Sequence, residues 1–148
     1  MTNEAAPVMS RRDVVKKMVN EVQDELAMVH MSKYDLERAK RTAALALRAQ
    51  MEMSEFLSDL EGRAKGIKHS IAIIESEVYF DQKNLADKKL SEAALQQCIA
   101  KDKEVVKAKA ELIDAEREFR LWEKLFNSLK DAHIFFRNLG NGKNDWSI

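Results

Sequence analysis

The stretch 101–139 limits what this chain can fold into more than any other. Val105, Leu112, Phe119, Phe126 and His133 recur at every seventh position, and Val106, Ala108, Ala115, Trp122, Leu125, Leu129, Ala132 and Phe136 fall between them. That three-and-four spacing marks one apolar face of an α-helix. From Phe119 onwards the face widens, until Leu121, Trp122, Leu125, Phe126, Leu129, Ile134, Phe135 and Phe136 nearly encircle the helix. A helix that is apolar on most sides is buried on most sides, so one partner helix cannot cover it. Gly140-Asn141-Gly142 predicts the stop, with Gly140 in the left-handed C-terminal position.

The rest of the chain offers more helix and little else. One proline, four glycines and 34% charged residues describe an all-α chain. Ser10 and Asp13 form a capping box at the start of a long first helix. Its seam runs through Val15, Val19, Val22, Leu26, Val29, Leu36, Ala43, Leu47 and Met51, with a candidate break near Met31 and a cap at Ser32. Small residues from Thr42 to Ala46 allow a neighbour's backbone to come close. Gly62 and Gly66 predict a bend or a short unwound turn, since each costs a helix interior about 1 kcal/mol relative to alanine. Ile67, Ile71, Ile74, Val78 and Leu85 make a second seam that ends near residues 86–89. Ser91 then caps a short helix carrying Leu95, Cys98 and Ile99, and Asp102 caps the last one. The expected architecture is an elongated helical hairpin or bundle with long coiled-coil-like helices. It comprises a loose segment over 1–9, one helical domain over 10–140 and a loose tail over 141–148 that includes Trp146.

Chemistry-bearing motifs are scarce. His30, His69 and His133 stand apart from one another and from any partner at metal-ligand spacing, so no metal site is expected, and His133 reads as a packed histidine. Cys98 is a lone cysteine, which excludes an intrachain disulfide and fits a reducing compartment. No phosphate-binding glycine loop, nucleophile elbow, signal peptide or run of eighteen apolar residues occurs. A non-enzymatic, cytoplasmic protein without cofactor or membrane partner is expected.

Charge is uninformative in total and informative in place. Lys+Arg and Asp+Glu are both 25. Yet residues 83–109 hold seven lysines against four acids, residues 33–48 hold five bases against two acids, and residues 50–61 hold four acids and no base. Such runs are most often solvated helix faces. The functional alternative is a polyanion site in which Lys83, Lys88 and Lys89 at one helix end meet Lys101 and Lys103 at the next helix start. Tyr79, Phe80 or Trp146 could stack on bases there. The apolar neighbours of Tyr79 and Phe80 favour core packing instead.

The helix IKHSIAIIESEVYFDQKNLADKK, the restart LSEAAL and the segment DKEVVKAKAELIDAEREFRLWEKLFNSLKDAHIFFRNLG together span Ile67 to Leu139. This half of the chain resembles the UvsY-like recombination mediators of phages. The resemblance implies a small helical homo-oligomer in a bacterial host or phage-infected cell. Such a protein binds single-stranded DNA and helps load a RecA-like recombinase onto strands covered by single-stranded-DNA-binding protein. It also implies DNA contact near the end of the helix before the restart, where Lys83, Lys88 and Lys89 stand. The wide apolar face, with Phe119, Trp122, Leu125, Phe126, Leu129 and Phe136, is the expected oligomer interface. The alternative is a coiled-coil adaptor, or an assembly or chaperone protein, with no DNA binding.

Overall fold

The computed structural model describes residues 9–29, 34–85 and 89–142. Helix makes up 92% of these, with no strand among them. The order is α1 (Arg11–Val29), α2 (Leu36–Leu85), α3 (Glu92–Lys101) and α4 (Lys103–Gly140). The single domain expected over 10–140 is organised as two compact units, Met1–Phe56 with Trp122–Ile148 and Leu57–Leu121, so α2 and α4 contribute to both.

The caps follow the sequence closely. The Asp13 N–H donates to Ser10 Oγ at 3.2 Å while that hydroxyl donates to the Asp13 carboxylate at 2.7 Å. Asp35 opens α2, accepting from the Glu37 N–H at 3.1 Å on its side chain and from the Ala39 N–H at 2.9 Å on its carbonyl. The break expected at Met31 and the cap at Ser32 lie outside the described residues. Ser91 accepts from the Ala94 N–H at 3.2 Å, and Asp102 accepts from the Glu104 and Val105 N–H groups at 3.0 and 3.1 Å. Each such cap satisfies donors that a helix start would leave unpaired, worth about 1 kcal/mol. Gly62 and Gly66 do not interrupt α2, which runs unbroken for 50 residues. The roughly 2 kcal/mol that two interior glycines cost is outweighed by the turns on either side.

In the first unit, α1 buries Val15, Val19 and Val22, one helical stripe. Against it α2 sets Ala39, Ala43, Ala46, Ala49, Met53 and Phe56, and α4 sets Trp122, Leu129, Ala132 and Phe136, all less than a tenth exposed. Phe56 meets Trp122 edge-on at 4.8 Å, and Tyr34 leans on Phe136 at 5.8 Å. The expectation that α4's apolar perimeter forms an oligomer interface is therefore corrected for three residues. Trp122, Leu129 and Phe136 are 4%, 2% and 0% exposed inside their own chain. Phe119, Leu125 and Phe126 are half-buried. The perimeter needs several partners, and α1 and α2 of the same chain cover part of it, leaving Leu121 and Ile134 exposed.

The helix stop also differs from expectation. The positive φ falls at Gly142 (71°), not at Gly140. Gly140 sits in the last turn of α4, where an added Cβ would lie 2.8 Å from Lys40 Cγ and 3.3 Å from the Lys40 backbone nitrogen. Its missing side chain lets the end of α4 rest on the start of α2. Gly140→Ala should therefore lower stability by about 1–3 kcal/mol, because backbone must shift to admit the methyl. Gly62→Ala, where an added Cβ meets nothing within 4 Å, should raise it by about 1 kcal/mol. Thermal denaturation of the two variants checks the contrast.

Candidate functional site

The second unit carries the basic segment. Two ion pairs fix α2 and α4 as antiparallel neighbours there, Lys109 Nζ to Glu75 at 3.1 Å and Arg63 Nη1 to Glu118 at 4.0 Å. Six residues of helix, about 9 Å, separate Lys109 from Lys103. Running the same distance along α2 from Glu75 reaches Asp81, so the start of α4 stands level with the end of α2. Between them α3 buries Leu95 and Ile99.

Lys83, Lys89, Lys101 and Lys103 are all exposed at this end of the unit. Lys88 lies outside the described residues, as do Trp146 and His30. Lys83 and Lys101 sit in the last turns of α2 and α3, where a cation complements the helix dipole. Lys103 has no such reason, since it opens α4 at the positive end of the dipole. Two nearby acids are engaged locally. Asp102 caps α4, and Glu92 accepts a 3.0 Å bond from the Tyr79 hydroxyl. That bond raises the Tyr79 pKa above its ordinary value, because ionising the phenol would set two anions together.

The aromatic pair divides. Tyr79 is half-buried, held by Glu92 and topped by Lys83 Nζ at 5.7 Å. Phe80 meets Tyr79 edge-on at 5.4 Å but is 58% exposed, which overturns core packing for that ring. It borders an open hollow of about 600 Å³ on α2, shared with Ala72, Ile73, Ser76, Glu77 and Asp81. The carboxylates of Glu77 and Asp81 make that hollow a poor seat for a polyanion.

Two members of the other basic block, Arg38 and Lys40, are committed within the first unit. Arg38 Nε and Nη2 donate to the two Glu25 carboxylate oxygens at 2.7 and 2.9 Å, and the Tyr34 hydroxyl donates to the same carboxylate. Lys40 pairs with Glu37 at 3.1 Å. Arg11 pairs with Glu55 and lies 3.9 Å from Glu52, so α1 meets the acidic run. Sequence reading missed the Glu25–Tyr34–Arg38 cluster, because its members fall on two helices and the turn between them.

No catalytic constellation stands out among the described residues. His133 Nδ1 lies 2.9 Å from the Ala43 carbonyl, which can only accept, so that nitrogen carries the proton. This is the packed histidine expected. Cys98 is half-buried, and among the described residues no group of His, Cys, Asp and Glu could hold a metal ion. No described helix is long and apolar enough to cross a membrane. No protein-family model, curated protein or solved structure matches the chain.

Bonding to Arg38, opposed by partial burial and aided by Tyr34, holds the Glu25 carboxyl below its ordinary pKa. A depressed carboxylate contributes stability above its unfolded pKa and loses it as pH falls through the folded one. Glu25→Gln should therefore cost about 1–2 kcal/mol at neutral pH, and the gap from wild type should close below about pH 4. Denaturant titrations across that range check it.

Proposed function

We propose that the chain is a non-enzymatic recombination mediator. It binds single-stranded DNA through the basic end of the second unit and helps a RecA-like recombinase displace single-stranded-DNA-binding protein. The observation that carries this reading is the grouping of Lys83, Lys89, Lys101 and Lys103. They are exposed at adjoining helix ends, while Arg38 and Lys40 of the other basic block are held in ion pairs. Lys103 at the positive end of a helix is disfavoured by the fold alone and favours an anion. The likeness of residues 67–139 to the UvsY-like mediators supports the same assignment, with Lys88 in the same stretch of sequence.

Lysine offers a point charge without base-reading geometry, so contact is to phosphates and indifferent to sequence. A few lysines bind a strand weakly, and repeating them in a homo-oligomer multiplies the effective concentration. The adaptor reading keeps one observation in its favour, the exposed apolar side chains of the second unit, among them Ile73, Phe80, Val106 and Ile113.

Fluorescence anisotropy with labelled oligothymidine at several salt concentrations separates the two. Wild type should bind, more weakly as salt rises. Replacing Lys83, Lys89, Lys101 and Lys103 with Glu should weaken binding at least tenfold and flatten the logarithmic salt slope by about 0.7 for each phosphate no longer neutralised. Equal affinity and slope in the variant would move the site elsewhere, and no binding by wild type would favour the adaptor.

A further inference from the structure

The second unit leaves two apolar stripes uncovered. On α2, Ile73 and Phe80 are 47% and 58% exposed, seven residues apart with Glu77 between them. On α4, Val106 and Ile113 are 53% and 58% exposed, seven apart with Ala110 between them. Ile73 lies about 160° round its helix from both buried Ile71 and Glu75, the residue that grips Lys109. Ile113 lies about 160° from buried Ala115. Each stripe thus lies on the far side of its helix from a buried residue, the α4 stripe beside Lys109, about 40° from Ile113 and 60° from Val106.

Their charges are opposite. The α2 stripe carries Glu77 and Asp81. The α4 stripe is flanked by Lys103, Lys107, Arg117 and Arg120 against Asp114, and all of these are exposed. Because both apolar pairs are seven residues apart, an antiparallel meeting of the stripes sets Phe80 on Val106 and Ile73 on Ile113 together. The same register brings Glu77 and Asp81 within a turn of Lys107 and Lys103. A parallel meeting that matches the apolar pairs sets Asp81 beside Asp114.

We propose that the partner is a second copy of this chain, bound head to tail, the exposed stripe of α2 on one copy against the exposed stripe of α4 on the next. Copies standing the same way up satisfy the antiparallel requirement without adjustment, since α2 and α4 are already antiparallel within each. The heights also agree. Glu75 meets Lys109 within a chain and comes level with Glu111 between copies, a difference of about 3 Å along the axis. A contact made from two different faces continues from copy to copy, closing into a ring or running on as a filament. It buries the apolar side chains that the fold leaves in water, and it sets the basic end of each second unit beside the next. Lys103 is shared with the proposed DNA site, but the test changes no lysine, so the contact can fail while DNA binding stands and the reverse.

Light scattering on two single variants and their mixture tests the proposal. Phe80→Asp blocks the α2 face and Ile113→Asp blocks the α4 face, both at exposed positions, and circular dichroism checks that helix content is retained. Wild type should have a mass several times the 17.0 kDa of one chain, and each variant should fall to a single chain. The mixture should form one-to-one dimers and nothing larger, since each variant keeps one working face. As a second measurement, a chain with Ile73→Cys, Ile113→Cys and Cys98→Ser should oxidise to a ladder of disulfide-linked copies. A monomeric wild type, variants that keep the wild-type mass, a mixture that stays monomeric, or oxidation without a ladder would each overturn it.

Discussion

Burial of α4's C-terminal half against α1 and the first part of α2 is the interaction on which the first unit depends. Trp122, Leu129, Ala132 and Phe136 are covered together, and none is more than 5% exposed. Each large side chain of this kind is worth roughly 2–3 kcal/mol when taken out of water. The close fit at Gly140, the alanine-rich face of α2 and the bond from His133 to the Ala43 carbonyl all serve that contact. The contact covers one side of the widest apolar perimeter in the chain and leaves Leu121 and Ile134 exposed.

The first unit leaves Met28, Leu36, Leu47 and Met51 exposed, and apolar surface is open on the second unit as well. Its core is thinner, with Leu60, Ile71, Leu95, Ile99, Val105 and Ala115 buried, and it keeps Ile73, Phe80, Val106, Ile113 and Leu121 substantially exposed. Lys83, Lys89, Lys101 and Lys103 are likewise left in solvent, whereas the first unit ties Arg11, Arg38 and Lys40 to acids. In the proposed reading the two units divide the work. The first supplies stability, and the second, with its open apolar stripes and solvated cations, serves association and polyanion binding.

Much of this was legible in the residues. Caps at Ser10, Ser91 and Asp102 follow from local hydrogen-bond chemistry, which needs no tertiary knowledge. The seams of α1 and α4 follow from periodicity. What periodicity cannot give is the identity of the partner. Trp122, Leu129 and Phe136 demand cover equally whether it comes from α1 and α2 or from another chain, so in the sequence they read as an oligomer interface. Gly140 was misplaced for a similar reason. A glycine near a helix end serves backbone freedom or close approach, and only the position of Lys40 decides between them. The exposed pair Val106 and Ile113 did leave a trace, offset by one residue from the buried Val105 and the half-buried Leu112. Without a core to orient the helix, that offset reads merely as a broader face.

Hydrogen–deuterium exchange, read by peptide with and without a saturating single-stranded oligothymidine, tests the division of labour most directly. The account predicts slowed exchange in peptides covering residues 79–83 and 89–107, with α1 and residues 36–56 unchanged. Protection confined to residues 11–56, with the second unit unaffected, would contradict it.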